Sequence, residues 1–331
     1  MDWDRKSIRI GGAVILCSIA LKLFSVGLTG DLPRRAFSVL WFLETGRILS
    51  TPQTLTTEPL PTETTTPEPP AETAPEEEKL LAVFSAEDAR LVEINNVCGY
   101  ETDVEKGLTQ TLSWDLTAAS PTVLIVHSHG SESYENTENY TPSGDYRTQD
   151  VGYNLVSIGD RLVEVLAAGG IHAIHDRTLH DVPSYSNSYG SSRESIARYL
   201  EQYPGICLVL DLHRDAVENA EGKQLKFTVK KGETEVAQLM LVVGTDAGGL
   251  SHPLWPENMS LAVKLHAQLE KLLPGVCRPI SFRSQRFNQD LSPGALIVEV
   301  GSAGNTRQEA LAAVELLGQA ILTLAQGTAA E

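Results

Sequence analysis

From residue 121 onward, short and almost unbroken apolar runs alternate with stretches of helical spacing. Val123 to His127, Ile171 to His175, Ile206 to Leu212 and Ala295 to Val300 have the length and β-branched content of buried strands. Between and after them, Tyr153 to Ala168, Ser191 to Gln202, Met259 to Leu273 and Thr306 to Leu324 repeat apolar residues every three or four positions, which predicts helices. Leu225 to Val229 and Leu239 to Val243 read as a strand pair around the polar turn KKGE. Strands that are apolar throughout are buried on both faces, and crossover helices produce that burial. The pattern therefore predicts an α/β fold, a largely parallel twisted sheet flanked by helices on both faces, over 121–328. The stretch 80–120 is mixed and reads as a short helix and strands that lead into or brace this core.

The N-terminal pattern is different. Arg5, Lys6 and Arg9 precede an apolar run from Gly11 to Leu28 that is interrupted by Lys22. A basic flank and a span near the roughly 20 residues a bilayer needs predict a transmembrane signal-anchor over 10–30, with 1–9 in the cytoplasm and the rest outside it. A cleaved signal peptide is the competing reading, but no small-x-small cleavage site follows the run. Over 50–79, TPQTLTTEPLPTETTTPEPPAETAPEEE has repeated Pro and Glu and almost no large apolar residue. Such a segment cannot bury enough surface to fold, and it predicts a disordered spacer that holds the domain away from the membrane, where a cell wall would stand.

Composition removes some classes of function. With 331 residues, 42% of them apolar, there is material for a sizeable core, and a formal charge of −17 without a basic stripe argues against nucleic-acid binding. Cys17, Cys98, Cys207 and Cys277 have neither CxxC pairing nor the density of a disulfide scaffold, and Cys17 and Cys207 sit in apolar runs that suit packing.

Polar groups then stand out at the strand ends. The first run leads into HSHGSESY, with His127, His129 and Glu132; the third ends in Asp211, His213, Arg214 and Asp215; the last carries Glu299 inside ALIVEVGS. All fall at carboxyl ends of strands expected to be parallel, the edge of an open α/β sheet where ligands bind. Two imidazoles and a carboxylate leave one coordination position of a zinc ion open, and an unpaired carboxylate in a buried strand suits the acid/base of a hydrolase. The expected Zn2+ ligands are His129, Glu132 and His213, with Glu299 as catalytic carboxylate. Each has an ordinary rival reading. His127 would share a side with His129 in an extended strand, so it could support that residue or replace it. Asp211 could orient His213. Asp150 competes with Glu132, which could instead be a helix cap or a surface carboxylate. His172, His175 and His180 read as loop or supporting groups, and Arg214 with Asp215 as a structural ion pair or part of the groove lining.

HSHGSESY, IHDRTLHD, SYGSSRES, LDLHRDA and FNQDLSPGALIVEVGSAGNT, in this order, resemble the stage II sporulation protein P family from about Pro121 to the C-terminus. More remotely the segment resembles zinc-dependent N-acetylmuramoyl-L-alanine amidases, in which the acidic ligand lies farther along, near Asp150 here. The resemblance implies a membrane-anchored peptidoglycan hydrolase with an amidase-like fold. Its reaction would be cleavage of the amide between muramic acid and L-alanine, with endopeptidase activity on crosslinks also credited to the family. It further implies a role in engulfment of the forespore beside the stage II sporulation proteins D and M. On the residues alone, another zinc amidohydrolase or carboxypeptidase fits the HxxE spacing equally well. A wall-binding scaffold with a degenerate metal site is the other class, and Glu299 speaks against it.

Overall fold

The computed structural model describes residues 84–112, 115–135 and 139–328. The expected anchor at 10–30 and spacer at 50–79 lie outside them.

The strands are β1 (Ile94–Asn96), β2 (Val123–Val126), β3 (Ala173–His175), β4 (Leu208–Asp215), β5 (Thr228–Lys231), β6 (Thr234–Ala237), β7 (Leu239–Val243), β8 (Ile280–Phe282) and β9 (Ala295–Ser302). The helices are α1 (Val104–Thr109), α2 (Leu155–Ala168), α3 (Ser188–Gln202), α4 (Trp255–Leu272) and α5 (Arg307–Thr328). Seven strands form one sheet in the order β1-β8-β7-β9-β4-β2-β3, and β5 and β6 form a separate hairpin. Every neighbouring pair in the large sheet is parallel except β7 and β9. The fold is α/β with a mostly parallel sheet.

Alternation along the central strands divides the core in two. Val123 and Ile125 of β2 and Leu208, Leu210 and Leu212 of β4 join the larger cluster with apolar residues of α2, α4 and α5. Leu124 and Val126 of β2 and Val209 of β4 pack on the other side with Ile196 of α3. This is the period-two geometry of a strand sandwiched between helices, and it decides which polar residues meet. In β4 and β9 the parity of Val209 is shared by Asp211 and His213, and Leu296, Val298 and Val300 all belong to the larger core, so Glu299 falls on the opposite face. His213 and Glu299 are direct partners in the β4–β9 register.

Helix α2 begins where Asn154 Oδ1 accepts from Val156 N at 3.0 Å, an N-cap, and presents Leu155, Ile158, Leu162 and Leu166 inward. It packs closely on α5, where a Cβ on Gly318 would stand 2.5 Å from Val165. Helix α5 is long and apolar enough to cross a membrane, the one such helix among the described residues, and more than half of its apolar stretch is buried against the rest of the protein.

Several sequence expectations change. The hairpin is β5 with β6, while Leu239–Val243 runs through the large sheet between β8 and β9. The turn at KKGE was placed correctly, with Gly232 at φ 62°, but its partner strands are the half-polar TVKK and TEVA on either side of it. Strand β1 and helix α1 supply the strand and short helix expected of the lead-in stretch, and β1 pairs with β8, a strand the sequence pattern does not predict, at the sheet edge.

Candidate metal centre

His129 lies beyond the end of β2, on a turn held from several sides. Ser128 donates through its N–H to Asp211 Oδ1 at 2.7 Å and through its hydroxyl to Asp211 Oδ2 at 2.6 Å. Ser131 N and Oγ donate to Asp181. The N–H of Leu155, at the start of α2, reaches Glu132 O. The turn is thus fixed to β4, to the loop after β3 and to a helix start.

The expectation that His127 and His129 share a side fails, because β2 ends at Val126 and the chain turns before His129. His127 keeps the parity of Ile125 and points toward α2. Its Nδ1 donates to Leu212 O at 3.2 Å, which leaves Nε2 to accept from His175 Nε2 at 2.8 Å, and His175 Nδ1 lies 3.1 Å from Asp160. Gly159 makes room for this pair, since a Cβ there would stand 2.5 Å from His175 Nε2. Burial, then the neighbouring His175, pushes His127 down to about 3, so it is neutral and committed to structure.

His129, Glu132, His213 and Glu299 come together on the α3 face. The rings of His129 and His213 stand 5.3 Å apart, edge to face. Tyr185 stacks on His129 at 4.3 Å and Tyr189 meets it edge-on at 5.5 Å, while Arg147 lies over the Tyr185 ring at 4.2 Å. Glu132 is buried: Oε2 accepts from Arg214 N at 3.2 Å and stands 3.7 Å from His213 Nδ1, and Oε1 faces Arg147 and Arg214 at 3.8 and 3.7 Å. It is neither a helix cap nor a surface group. Asp150, its rival, is exposed and accepts the Gly152 amide of its own turn at 2.9 Å. Arg214 and Asp215 do not pair with each other; Arg214 serves Glu132 and Ser133 O, and Asp215 bonds Arg278 at 2.7 Å.

The electrostatics follow from burial and crowding. Burial alone would lower His213, but Asp211 outweighs it, with Glu132 and Glu299 adding, and raises it to about 10. His213 Nε2 is 3.0 Å from Asp211 Oδ1, with the ring turned off the line of a straight hydrogen bond. Burial, then repulsion from His213, lowers His129. Glu299 is pushed up to about 8 by burial, with Glu132 and Asp215 adding and His213 opposing.

These side chains have the donor chemistry of a divalent-ion site. His129 Nδ1 and Glu299 Oε2 are buried without a hydrogen-bond partner, and a buried polar atom without one is costly. Two donors on one zinc stand about 3.3 Å apart, close to the 3.7 Å between His213 Nδ1 and Glu132 Oε2. The contact of Asp211 on the other nitrogen of His213 is the usual way a ligating imidazole is oriented. Among the described residues, no three such side chains already stand in coordinating geometry.

Sequence reasoning missed Ser128, Asp181, Tyr185 and Tyr189, and of the buried network behind them it named only His180, as a loop or supporting group. Asp176, 3% exposed, accepts from His180 Nε2 at 3.0 Å, Thr178 N at 3.2 Å and Ser195 Oγ, and His180 Nδ1 meets Ser191 Oγ at 2.9 Å. His172, in contrast, is exposed. Burial raises the Asp176 carboxyl, and the bonds from His180, Ser195 and Thr178 more than reverse that, leaving it far below the usual range. A depressed folded value stabilises above the unfolded value, near 3.9, and the gain is lost as pH falls through the folded value. Asp176→Asn is therefore expected to cost about 1–3 kcal/mol at pH 7 and progressively less below about pH 4. Urea melts at pH 7, 4 and 3 check this; a cost that does not change with pH would mean the charge plays no part.

The chain is similar to known proteins at the level of sequence family and of fold. The family model described as Stage II sporulation protein P (SpoIIP) matches residues 53–322. Stage II sporulation protein P of Bacillus subtilis (strain 168) is 28% identical over 200 residues, covering 56% of this chain and 47% of that protein. The chain thus spans about half the length of the curated relative it matches. Among solved structures, N-acetylmuramoyl-L-alanine amidase AmiC2 of Nostoc punctiforme aligns at 17% identity and TM-score 0.37, over 63% of this chain and 95% of that one. The CwlD amidase from Clostridioides difficile, in complex with the GerS lipoprotein, aligns at 11% identity and TM-score 0.37, over 63% and 98%.

Proposed function

Because the chain belongs to the stage II sporulation protein P family, we propose that it is a sporulation cell-wall hydrolase, a zinc-dependent amidase that cleaves between muramic acid and the L-alanine of the stem peptide. The observation that supports this most is the meeting of His129, Glu132, His213 and Glu299 at one sheet edge, with His129 Nδ1 and Glu299 Oε2 buried and unpartnered.

A zinc ion held by His129, Glu132 and His213 would supply Lewis acidity toward the scissile carbonyl and acidify the attacking water. The chain's own residues do the rest. Asp211 holds the His213 ring from behind, and is itself held by Ser128. Tyr185 and Tyr189 cover His129 and keep bulk water from its ring faces. Glu299 takes the proton of the attacking water on Oε2 and delivers it to the nitrogen of the leaving L-alanine, whose bond to the lactyl carbonyl breaks. The charge of Arg214 opposes burial and favours the ionised form of Glu299 that a base requires.

In the same reading, the apolar span at 10–30 anchors the protein in the membrane with the catalytic domain facing the wall, and the stage II sporulation proteins D and M are its partners. Mass spectrometry of muropeptides incubated with the chain tests the reaction. Released peptides are expected to begin with a free L-alanine amine, to stop forming after chelation and to resume with added zinc. Products cut only within the peptide would replace amidase by endopeptidase.

A further inference from the structure

Next to the metal centre lies a cavity of about 620 Å³ lined by Tyr189, Arg193, Leu250, Arg286, Phe287 and Asn288 among others. We infer that it is a carboxylate-binding subsite for the peptide part of the substrate, with Arg193 and Arg286 as the recognising groups. The identity of that peptide rests on the amidase function proposed above.

Four observations lead there. First, the charged side chains on the cavity wall are both arginines. They share one carboxylate: Arg193 makes two 2.8 Å bonds to Asp290, and Arg286 Nη1 reaches the same Asp290 only at 3.3 Å and Ser251 O at 3.4 Å. A guanidinium carries five N–H donors in a fork that matches a carboxylate, so Arg286 has capacity beyond its two long contacts. Second, the cavity begins one aromatic ring from the imidazoles. Tyr189 is 5.5 Å from the His129 ring, 6.3 Å from that of His213 and 6.0 Å from Phe287.

Third, the wall is built at a cost. Phe287 and Asn288 are consecutive non-glycine residues in the left-handed region, at φ 52° and 61°. Such backbone persists only where its surroundings hold it, and it concentrates at functional sites. Here Gln289 does the holding, accepting from Gly244 N at 2.7 Å and donating to Val242 O at 2.8 Å. Fourth, the wall is wired to the centre. Asn288 Nδ2 donates to Tyr189 O at 2.8 Å and to Ser192 Oγ at 3.2 Å; Ser192 meets Ser128 Oγ at 2.7 Å, and Ser128 donates to Asp211, the residue behind His213. A group seated against Phe287 and Arg286 is thereby registered against the reacting amide.

The volume suits a few residues of peptide. Leu250, 60% exposed at the cavity wall, offers an apolar contact. A stem peptide carries free carboxylates beyond its first residue, whereas the glycan backbone offers chiefly hydroxyl and amide groups. The peptide side therefore occupies this cavity, and the sugar extends away from it.

The test is equilibrium binding of a synthetic stem tripeptide, L-Ala-D-Glu followed by a diamino acid, to the full chain, with the peptide carboxylates either free or amidated. Because this probe lacks the scissile bond, turnover plays no part. The free acid is expected to bind about tenfold more tightly than the amide. Arg286→Gln and Arg193→Gln should each abolish most of that difference and leave the amidated peptide unaffected, while Arg286→Lys restores part of it. Thermal melts identify any variant that fails to fold, and Arg286→Gln, with only long contacts to lose, is the safer of the two. Equal or undetectable binding of the two peptides by the parent protein, or equal loss for both in the variants, overturns the subsite. Discrimination without any release of stem peptide from wall material would leave the subsite standing and remove the amidase function instead.

Discussion

Glu299→Gln is expected to lower stem-peptide release by about 10²–10⁴-fold, the range general acid–base catalysis contributes, while the protein still takes up zinc. The substitution is nearly isosteric, and Glu299 lies outside the expected ligand set, so loss of rate without loss of metal is its signature. A second readout is independent of turnover. In the metal-free protein the Glu299 carboxyl is raised to about 8, by burial first and by Glu132 and Asp215 after it. Between its unfolded value near 4.3 and 8 the folded chain binds more protons than the unfolded one, so this residue makes stability fall as pH rises across that window. A neutral amide has no such dependence. The metal-free Glu299→Gln protein is expected to melt higher than the parent, with the gap opening between about pH 4.3 and 8. Retained activity in this variant would sink the mechanism, and a gap that does not vary with pH would sink the account of Glu299 as a strained acid.

That conflict between stability and chemistry is also why Glu299 was visible in the sequence. A carboxylate inside ALIVEVGS, or Asp211 and His213 inside LVLDLHRD, breaks an otherwise apolar strand and announces itself. The partners that make those residues usable carry no such signal. Ser128, Asp181, Tyr185 and Tyr189 are ordinary polar and aromatic residues on turns and a helix start, and only the tertiary structure shows what they hold. The fold divides along the same line. Interior strands β2, β4 and β9 were legible because burial on both faces makes them apolar, and that burial also pointed to their parallel pairing, but an antiparallel β7 reads the same as a parallel one. Strand β8, three residues set between polar stretches, is too short for any period to register. The hairpin β5–β6 was misplaced because its strands are half exposed and polar, so the apolar run of β7 beyond it drew the assignment away.

Asp211→Ala is expected to be the most damaging single change at the site: a stability loss of about 3–5 kcal/mol, and, in whatever still folds, metal affinity weakened ten- to a hundredfold. The carboxylate is buried on β4 and accepts the N–H and hydroxyl of Ser128 while standing 3.0 Å from His213. Removing it leaves a buried Ser128 amide without its acceptor, and it takes away the group that most strongly holds the His213 charge inside the protein. His213→Ala breaks the same contact from the other side, and it removes the charge as well, so its stability cost should be the smaller. The double variant should then cost about what Asp211→Ala costs alone, a coupling of the size seen between residues in one network. Denaturant melts of the four metal-free proteins, read as a cycle, measure that coupling. If the two single costs simply add, Asp211 and His213 act independently, and the orientation of the imidazole must come from elsewhere in the site.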